Sequence, residues 1–331
     1  MVAWPALINV PSAGRTDIGG WPSNVSDTAR GDAPLTGGAG ATVTVAIACY
    51  NQGRFLADAI ASILGQHRPA DAIILVDDGS TDDTNAVALA HPGVAYLQQP
   101  NAGLSAARNA ALAVARTSHI LFLDADDRLW PGALAHALAC FAARPDIAFA
   151  YGGYRNVALD LTPIAVCPPV SKPDAFVAML HDNFIGMHGT VLYDVAKLRG
   201  IGGFDTRLPS CEDYDVYLKL ARHHPIACYP HIGADYRRHG ASMSASAARM
   251  SRIARQVLKR QIDSGLTAEQ QTAARAGLAF NRRHYSYQLI GMIRRQPTAL
   301  PRLVWAGLRE DRCFAFRLIR AAASALRRLP R

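Results

Sequence analysis

Four short apolar runs, VTVAIA from Val43, AIILV at 72–76, VAYLQ at 94–98 and HILFL at 119–123, are each followed by a stretch whose apolar residues recur at helical spacing. Helices are expected over 53–66, 81–90 and 104–116, with a fourth beginning at Pro131. Buried strands alternating with helices predict an α/β fold, a mostly parallel sheet flanked by helices on both faces. Ligands of such sheets bind beyond the carboxyl ends of the strands. Here those ends are strongly polar: Cys49-Tyr50-Asn51-Gln52, Asp77-Asp78-Gly79-Ser80, Pro100-Asn101-Ala102-Gly103 and Asp124-Ala125-Asp126-Asp127.

The rest of the chain divides around this pattern. Residues 1–40 are rich in Gly, Pro, Ser, Thr and Asp without periodicity and read as a disordered leader. Residues 41–245 form the main domain, with the strand–helix half over 41–150 and a less regular half over 151–245. The second half holds a helix near 173–181, a strand near 190–193 and an amphipathic helix over 211–223. Residues 246–331 read as a basic helical appendage broken at Gly265, Pro297 and Pro301.

Charge separates the same regions. The formal net charge is +9, yet residues 281–331 hold twelve arginines against Glu310 and Asp311, a local +10, so everything before them sums to −1. The main domain is therefore no polyanion-binding surface. The six cysteines show no CxxC pair and no metal-ligand spacing, which argues for reduced thiols and against a zinc site. With no secretory signal and no run of about 18 apolar residues, the expected location is cytoplasmic, peripheral on the inner face of the cell membrane.

Asp124 and Asp126, with Asp127 beside them, concentrate anionic charge at one strand end. One reading is a site for a hard divalent cation, Mn²⁺ or Mg²⁺, that takes further oxygens from a substrate diphosphate. The other is an acidic turn capping the next helix. Asp78 suits a carboxylate that accepts from the imide N–H of a pyrimidine, and Tyr50 a ring that stacks on that base or belongs to the core. Thr81 and Asp82 read as turn and cap.

The ordered set VTVAIACYNQGRFLADAIASILGQ, ILVDDGSTDDT, NAGLSAARNAAL, HILFLDADDRLWPGAL, GGFD, CEDYDVYLKL and YRRHGASMS, spanning roughly 43–245, resembles the inverting glycosyltransferases of family 2 with the GT-A fold. The resemblance implies a Rossmann-like GT-A domain. It implies that Tyr50, Asn51, Asp78, Arg108 and Asp124 bind the nucleotide and that Asp126, with Asp124 and His239, holds the metal. It makes Asp213 of the Glu212-Asp213 pair the general base. Arg237, Arg238 and His188 are candidates for the diphosphate or acceptor side, although His188 reads equally as a core histidine. Arg108 and Asn109, in the family's ARN pattern, serve on the other reading only to hold the crevice loops. Ala48 departs from relatives that carry a hydroxyl there.

The implied reaction transfers a sugar from a nucleoside-diphosphate sugar, with a UDP-sugar expected, to a hydroxyl of a glycan or lipid-linked acceptor with inversion. Two alternatives differ in class: a nucleotide-sugar-binding protein without turnover, which has no need of Asp213, and a nucleic-acid- or membrane-binding protein that acts through its basic tail. The tail LVWAGLREDRCFAFRLIRAAASALRRL mixes Arg with apolar residues and reads either as an amphipathic helix on anionic lipid or as a bundle packed on the domain. No nucleic-acid partner is expected.

Overall fold

The computed structural model describes residues 40–239, 247–295, 300–311 and 313–326. The expected leader, apart from Gly40, and the end of the YRRHGASMS motif lie outside the described residues, as do Pro297 and the arginines at 312, 327, 328 and 331.

Strands β1 (Val43–Cys49), β2 (Ala72–Asp77), β3 (Ala95–Gln98) and β4 (His119–Asp124) form in the expected order, parallel and adjacent as β3-β2-β1-β4. Their register aligns Cys49 with Asp77, Ala48 with Asp124 and Asp77 with Gln98, so the polar strand ends share one edge. Alternation splits the side chains between two cores. Val43, Val45, Ile47, Leu121 and Leu123 join α1 (Gly53–Leu64) and α4 (Ala133–Ala143), whereas Ala46, Ile74, Val76, Ile120 and Phe122 join α3 (Leu104–Val114) and the later helices. Each fully buried Val, Leu or Ile contributes roughly 1.5–3 kcal/mol, which fixes the register because a one-residue slip would exchange the two faces.

Two predicted helices start later than their apolar pattern suggests. α2 spans Thr84–Leu89, because the Asp82 carboxylate takes the Thr84 N–H at 3.1 Å and the Gly53 N–H at 2.9 Å, fixing the starts of α1 and α2 together. The helix expected from Pro131 begins at Ala133, after a turn in which the Ala133 N–H donates to the Trp130 carbonyl.

Beyond β4 the chain contains more strand than the sequence suggests. β5 (Arg128–Leu129), β6 (Phe149–Val157), β7 (Pro163–Cys167), β8 (Leu192–Asp194) and β9 (Ala227–Arg237) continue the sheet as β4-β8-β6-β9-β5, with β7 beside β6. β8 runs antiparallel to β4 and β6, β9 parallel to β6, and β5 antiparallel to β9. Because β5 directly follows β4, its pairing with β9 curls the sheet and returns the end of β9 to the Asp124–Asp127 turn. Helices α5 (Ala175–His181), α6 (Val195–Gly200) and α7 (Glu212–Ala221) complete the second half.

α8 (Ala247–Asp263) and α9 (Ala268–Arg295) form a hairpin whose Ile253, Ala254, Val257, Leu258 and Ala274 belong to the same apolar cluster as Val216 and Tyr217 of α7. α10 (Leu300–Glu310) and α11 (Phe314–Leu326) add a small cluster around Leu289, Ile290 and Phe314. Pro301 does not break a helix. It occupies the first turn of α10, where its missing N–H has no intrahelical partner to lose.

Gly277 of α9 meets the end of α5 so closely that a Cβ would strike the Leu180 carbonyl oxygen and lie 3.1 Å from the His181 Cα. Gly277→Ala gains about 1 kcal/mol of helix propensity. The backbone of α5 cannot swing aside like a flexible side chain, so overpacking of about 1–3 kcal/mol should prevail and lower the melting temperature. A variant melting above the native chain would refute this close approach.

Candidate active site

Arg108 is the centre of the polar crevice. It lies on α3, is 2% exposed, and reaches across the strand ends with Nη2 2.7 Å from Asp124 Oδ1 and Nη1 2.7 Å from Glu212 Oε1. Burial works against its charge, but Asp124 and then Glu212 outweigh it and raise its pKa above the ordinary arginine value. The guanidinium thereby ties the tip of β4 to the first turn of α7, elements 88 residues apart at those two carboxylates. Its Nε has no partner among the described residues.

Asp213 follows Glu212 at the helix start and keeps a partly exposed surface. Burial, then Glu212, push its carboxyl up to about 7, while Arg108 pulls the other way. Cys211, just before the pair, holds a left-handed backbone at φ 58°, a conformation that costs a residue with a side chain about 1 kcal/mol or more. The helix and the strain together fix where the two acids point. A carboxylate whose pKa lies near neutrality can take a proton from a hydroxyl and later release it.

On the other flank, Asp126 Oδ2 lies 2.8 Å from His239 Nε2. Burial and then Asp124 raise the Asp126 pKa. Asp127 is buried, with its pKa raised well above the carboxylate range by burial and then Asp126, and accepts the Arg237 N–H at 2.8 Å. Asp127 therefore anchors β9 and brings His239 to Asp126. Among the described residues no three His, Cys, Asp or Glu side chains are arranged to hold an ion unaided. Asp126 and His239 form a two-donor set, which fits an ion that draws its other ligands from substrate and water.

The loops of the first two strands are coupled to each other. Asn51, at φ 53°, donates its N–H to Ser80 Oγ at 2.9 Å and accepts the Thr81 N–H at 2.8 Å. Gly79 sits at φ 80° with its face against Asn101 N, where a Cβ would come within 2.9 Å, so glycine is required on both counts. Tyr50 leaves its ring half exposed at the tip of β1. Asp78 is buried: Oδ1 accepts from Gln99 Nε2 at 2.7 Å and Ala102 N at 2.9 Å, and Oδ2 from Gly103 N at 2.8 Å. Of the roughly four lone-pair positions of a carboxylate, three hold the loop entering α3 and one remains.

The other candidates are placed differently. His188 is buried in an aromatic cluster with Phe122, Tyr193, Phe204 and Tyr217 and shares a 3.1 Å hydrogen bond with the Tyr193 hydroxyl. Burial and nearby Arg108 keep its pKa well below the usual value, so it is a neutral core residue behind Arg108. Arg237 is 1% exposed, lies over the Phe55 ring at 4.6 Å and pairs with Asp58 at 2.9 Å. Its Nε and Nη1 have no partners among the described residues. Arg238 lies over Tyr236 at 4.9 Å. Asn109 holds the loop after α6 through Phe204, accepting its N–H at 2.9 Å and donating to its carbonyl at 2.8 Å. The anchoring of Arg237 by Asp127 and Asp58 escaped the sequence reading, because Arg237 lies 110 and 179 residues away from them. Cys211 escaped it because nothing in the sequence marks a left-handed cysteine.

Comparison with known proteins addresses family and fold. The family described as glycosyl transferase family 2 covers residues 44–193. An uncharacterized protein of Mycobacterium tuberculosis is 30% identical over 237 residues, 66% of this chain and 73% of that protein. A chondroitin synthase of Pasteurella multocida is 29% identical over 202 residues, 57% of this chain but only 20% of the synthase, so the chain spans about a fifth of that relative's length. In fold, S. aureus TarS solved with UDP-GlcNAc superposes with a TM-score of 0.59 at 19% identity, covering 80% of this chain and 79% of that one. A mannosyltransferase of Pyrobaculum calidifontis, solved with GDP-Man and Mn²⁺, gives 0.57 at 22% identity over 86% and 80%. A GT-A sheet with this order of motifs along its carboxyl edge thus places the chain in glycosyltransferase family 2.

Proposed function

We propose that the chain transfers a sugar from a nucleoside-diphosphate donor, UDP-linked in our reading, to a hydroxyl of a glycan or lipid-linked acceptor with inversion at the anomeric carbon. The observation that supports this reading is the Arg108 bridge between Asp124 and Glu212, with Asp213 near enough to Arg108 and Asp124 to feel both charges. Tyr50 offers its ring to the base, and the remaining lone pair of Asp78 accepts a base N–H. Asp213 takes the acceptor hydroxyl's proton as that oxygen attacks opposite the nucleotide. Glu212, engaged with Arg108, lies beside it and helps to keep its proton affinity high. Arg237, two of whose guanidinium nitrogens have no partner among the described residues, ends β9, Arg238 follows it before His239, and both supply positive charge on the diphosphate side.

Asp126 and His239 would hold Mn²⁺ or Mg²⁺, with Asp124 beside them. Such an ion supplies charge neutralisation for the departing diphosphate. Among the described residues no helix is long and apolar enough to cross a membrane. A lipid-linked acceptor would be met at a membrane surface, and contact there through the C-terminal helices belongs to this reading.

Asp213→Asn should lower transfer by about 10²- to 10⁴-fold while donor binding, read by calorimetry, survives; near-normal transfer would remove the base assignment. Native transfer should fall about tenfold per pH unit below about 7, where Asp213 is protonated. The ionised carboxyl is disfavoured in the folded chain. Its penalty is absent below the ordinary carboxylate pKa of 3.8 and grows until about pH 7. Asp213→Asn should accordingly melt higher than the native chain at about pH 8 and gain nothing at about pH 4.

Asp126→Ala should abolish the Mn²⁺-dependent part of nucleotide affinity, measured by titration with and without the ion. Arg108→Ala strands two carboxylates and should cost about 3–5 kcal/mol of stability in denaturant titration. A loss below about 1 kcal/mol would show that the bridge does not hold the crevice together. A thermal-shift screen of UDP- and GDP-sugars with Mn²⁺ distinguishes the donor nucleotides.

A further inference from the structure

The C-terminal helices carry a surface that glycosyl transfer does not use. A groove of about 710 Å³ opens between α8, α9 and α10, lined by Arg252, Arg255, Lys259, Arg282 and Arg309 together with two carboxylates, Glu310 and Asp311. Both carboxylates are already matched. Glu310 pairs with Arg255, and Asp311 takes Arg317 Nε at 2.8 Å and the Ser286 hydroxyl at 2.7 Å. Among the described residues Arg252, Lys259, Arg282 and Arg309 form no ion pair, so four cations line a concave surface without a counter-charge.

A second observation lies on the same helices. Trp305 and Leu308 of α10 are 61% and 47% exposed, and Phe316 and Ile319 of α11 are 67% and 68% exposed. Each pair is spaced i, i+3 and shares a helix face. These are not the core faces, which are occupied by Leu303, Phe314 and Leu318 against Leu289 and Ile290. The Arg309 guanidinium lies 4.6 Å from the Trp305 ring centre, so a groove cation and an exposed indole form one unit.

We infer that α10 and α11 seat the protein on an anionic phospholipid surface, with the groove receiving a phosphate-bearing headgroup and the four exposed apolar side chains entering the interfacial layer. This deepens the membrane part of the proposed function. A bilayer satisfies both observations at once, since phosphates match the cations while the acyl boundary covers Trp305, Leu308, Phe316 and Ile319. A nucleic acid would engage the cations and the flat rings but leave Leu308 and Ile319 in water. A second copy of the chain meeting this face about a two-fold axis would set the same cations against each other. Because α8 shares its apolar contacts with α7 and Arg260 pairs with Asp205 at 2.8 Å, docking these helices fixes the orientation of the crevice toward the lipid.

The test is flotation of the full-length chain with phosphatidylcholine vesicles, with and without phosphatidylglycerol. The chain should float only with the anionic vesicles, and less so as salt rises. Trp305→Ser with Leu308→Ser, and separately Arg282→Glu with Arg309→Glu, should each reduce vesicle affinity at least about tenfold, whereas Arg282→Lys with Arg309→Lys should retain it. Unchanged melting curves guard against misfolded variants. Flotation that is equal for all variants, or equal on neutral vesicles, overturns the inference. So does RNA binding or self-association that these substitutions abolish in a chain that never floats. Transfer to a soluble acceptor, followed in the same variants, should persist; its loss without loss of flotation would count against the proposed function and leave the lipid contact standing.

Discussion

The crevice depends on one guanidinium buried between two carboxylates. Taking Arg108 out of water is unfavourable by itself, and the fork geometry that lets it bind Asp124 and Glu212 together reverses the balance. A lysine would present a point charge and satisfy one partner well. The cost of this arrangement is borne by a site rather than by a core, since an apolar triad of the same volume would hold α3, β4 and α7 together at least as firmly. What the polar version adds is direction: Glu212 is drawn inward onto the guanidinium, while its neighbour Asp213 keeps a partly exposed surface.

A related logic runs through β9. Asp127 fixes the Arg237 amide, the Arg237 side chain lies between Phe55 and Asp58 of α1, and His239 follows at Asp126. The curl of the sheet through β5 is therefore what closes the second wall. Three acids gather at this turn, and the pKa values of Asp126 and Asp127 are raised by burial and by acidic neighbours in the same turn.

The first half of this architecture was legible because each of its elements repeats a local rule. Apolar β-branched runs gave the four parallel strands, and parallel register then placed Asn51, Asp78 and Asp124 on one edge. β6 and β9 were less legible, since Gly152-Gly153 and Pro230-His231 interrupt their apolar alternation while long-range pairing keeps them in the sheet. The glycines serve an approach no local rule foresees: a Cβ at Gly152 would meet the Tyr229 ring. Side-chain roles divided similarly. Asp213 and Asp126 stand out by type and position, whereas the duty of Asp78 toward Ala102 and Gly103, and the choice of the core reading for His188 by its four ring neighbours, emerge only from tertiary contact.

The continuity of one apolar cluster from Ala46 and Ile120 in the sheet, through Tyr217 of α7, to Val257 of α8 means that the helix carrying Asp213 is covered by α8 along its apolar side. The hairpin is its roof. Wherever this α/β half is built into another polypeptide, something else must cover Tyr217 and Leu218, or the segment carrying Asp213 loses the stiffness that catalysis asks of it. Architectural freedom in such a scaffold therefore lies on the far edge, around β3, and not behind α7.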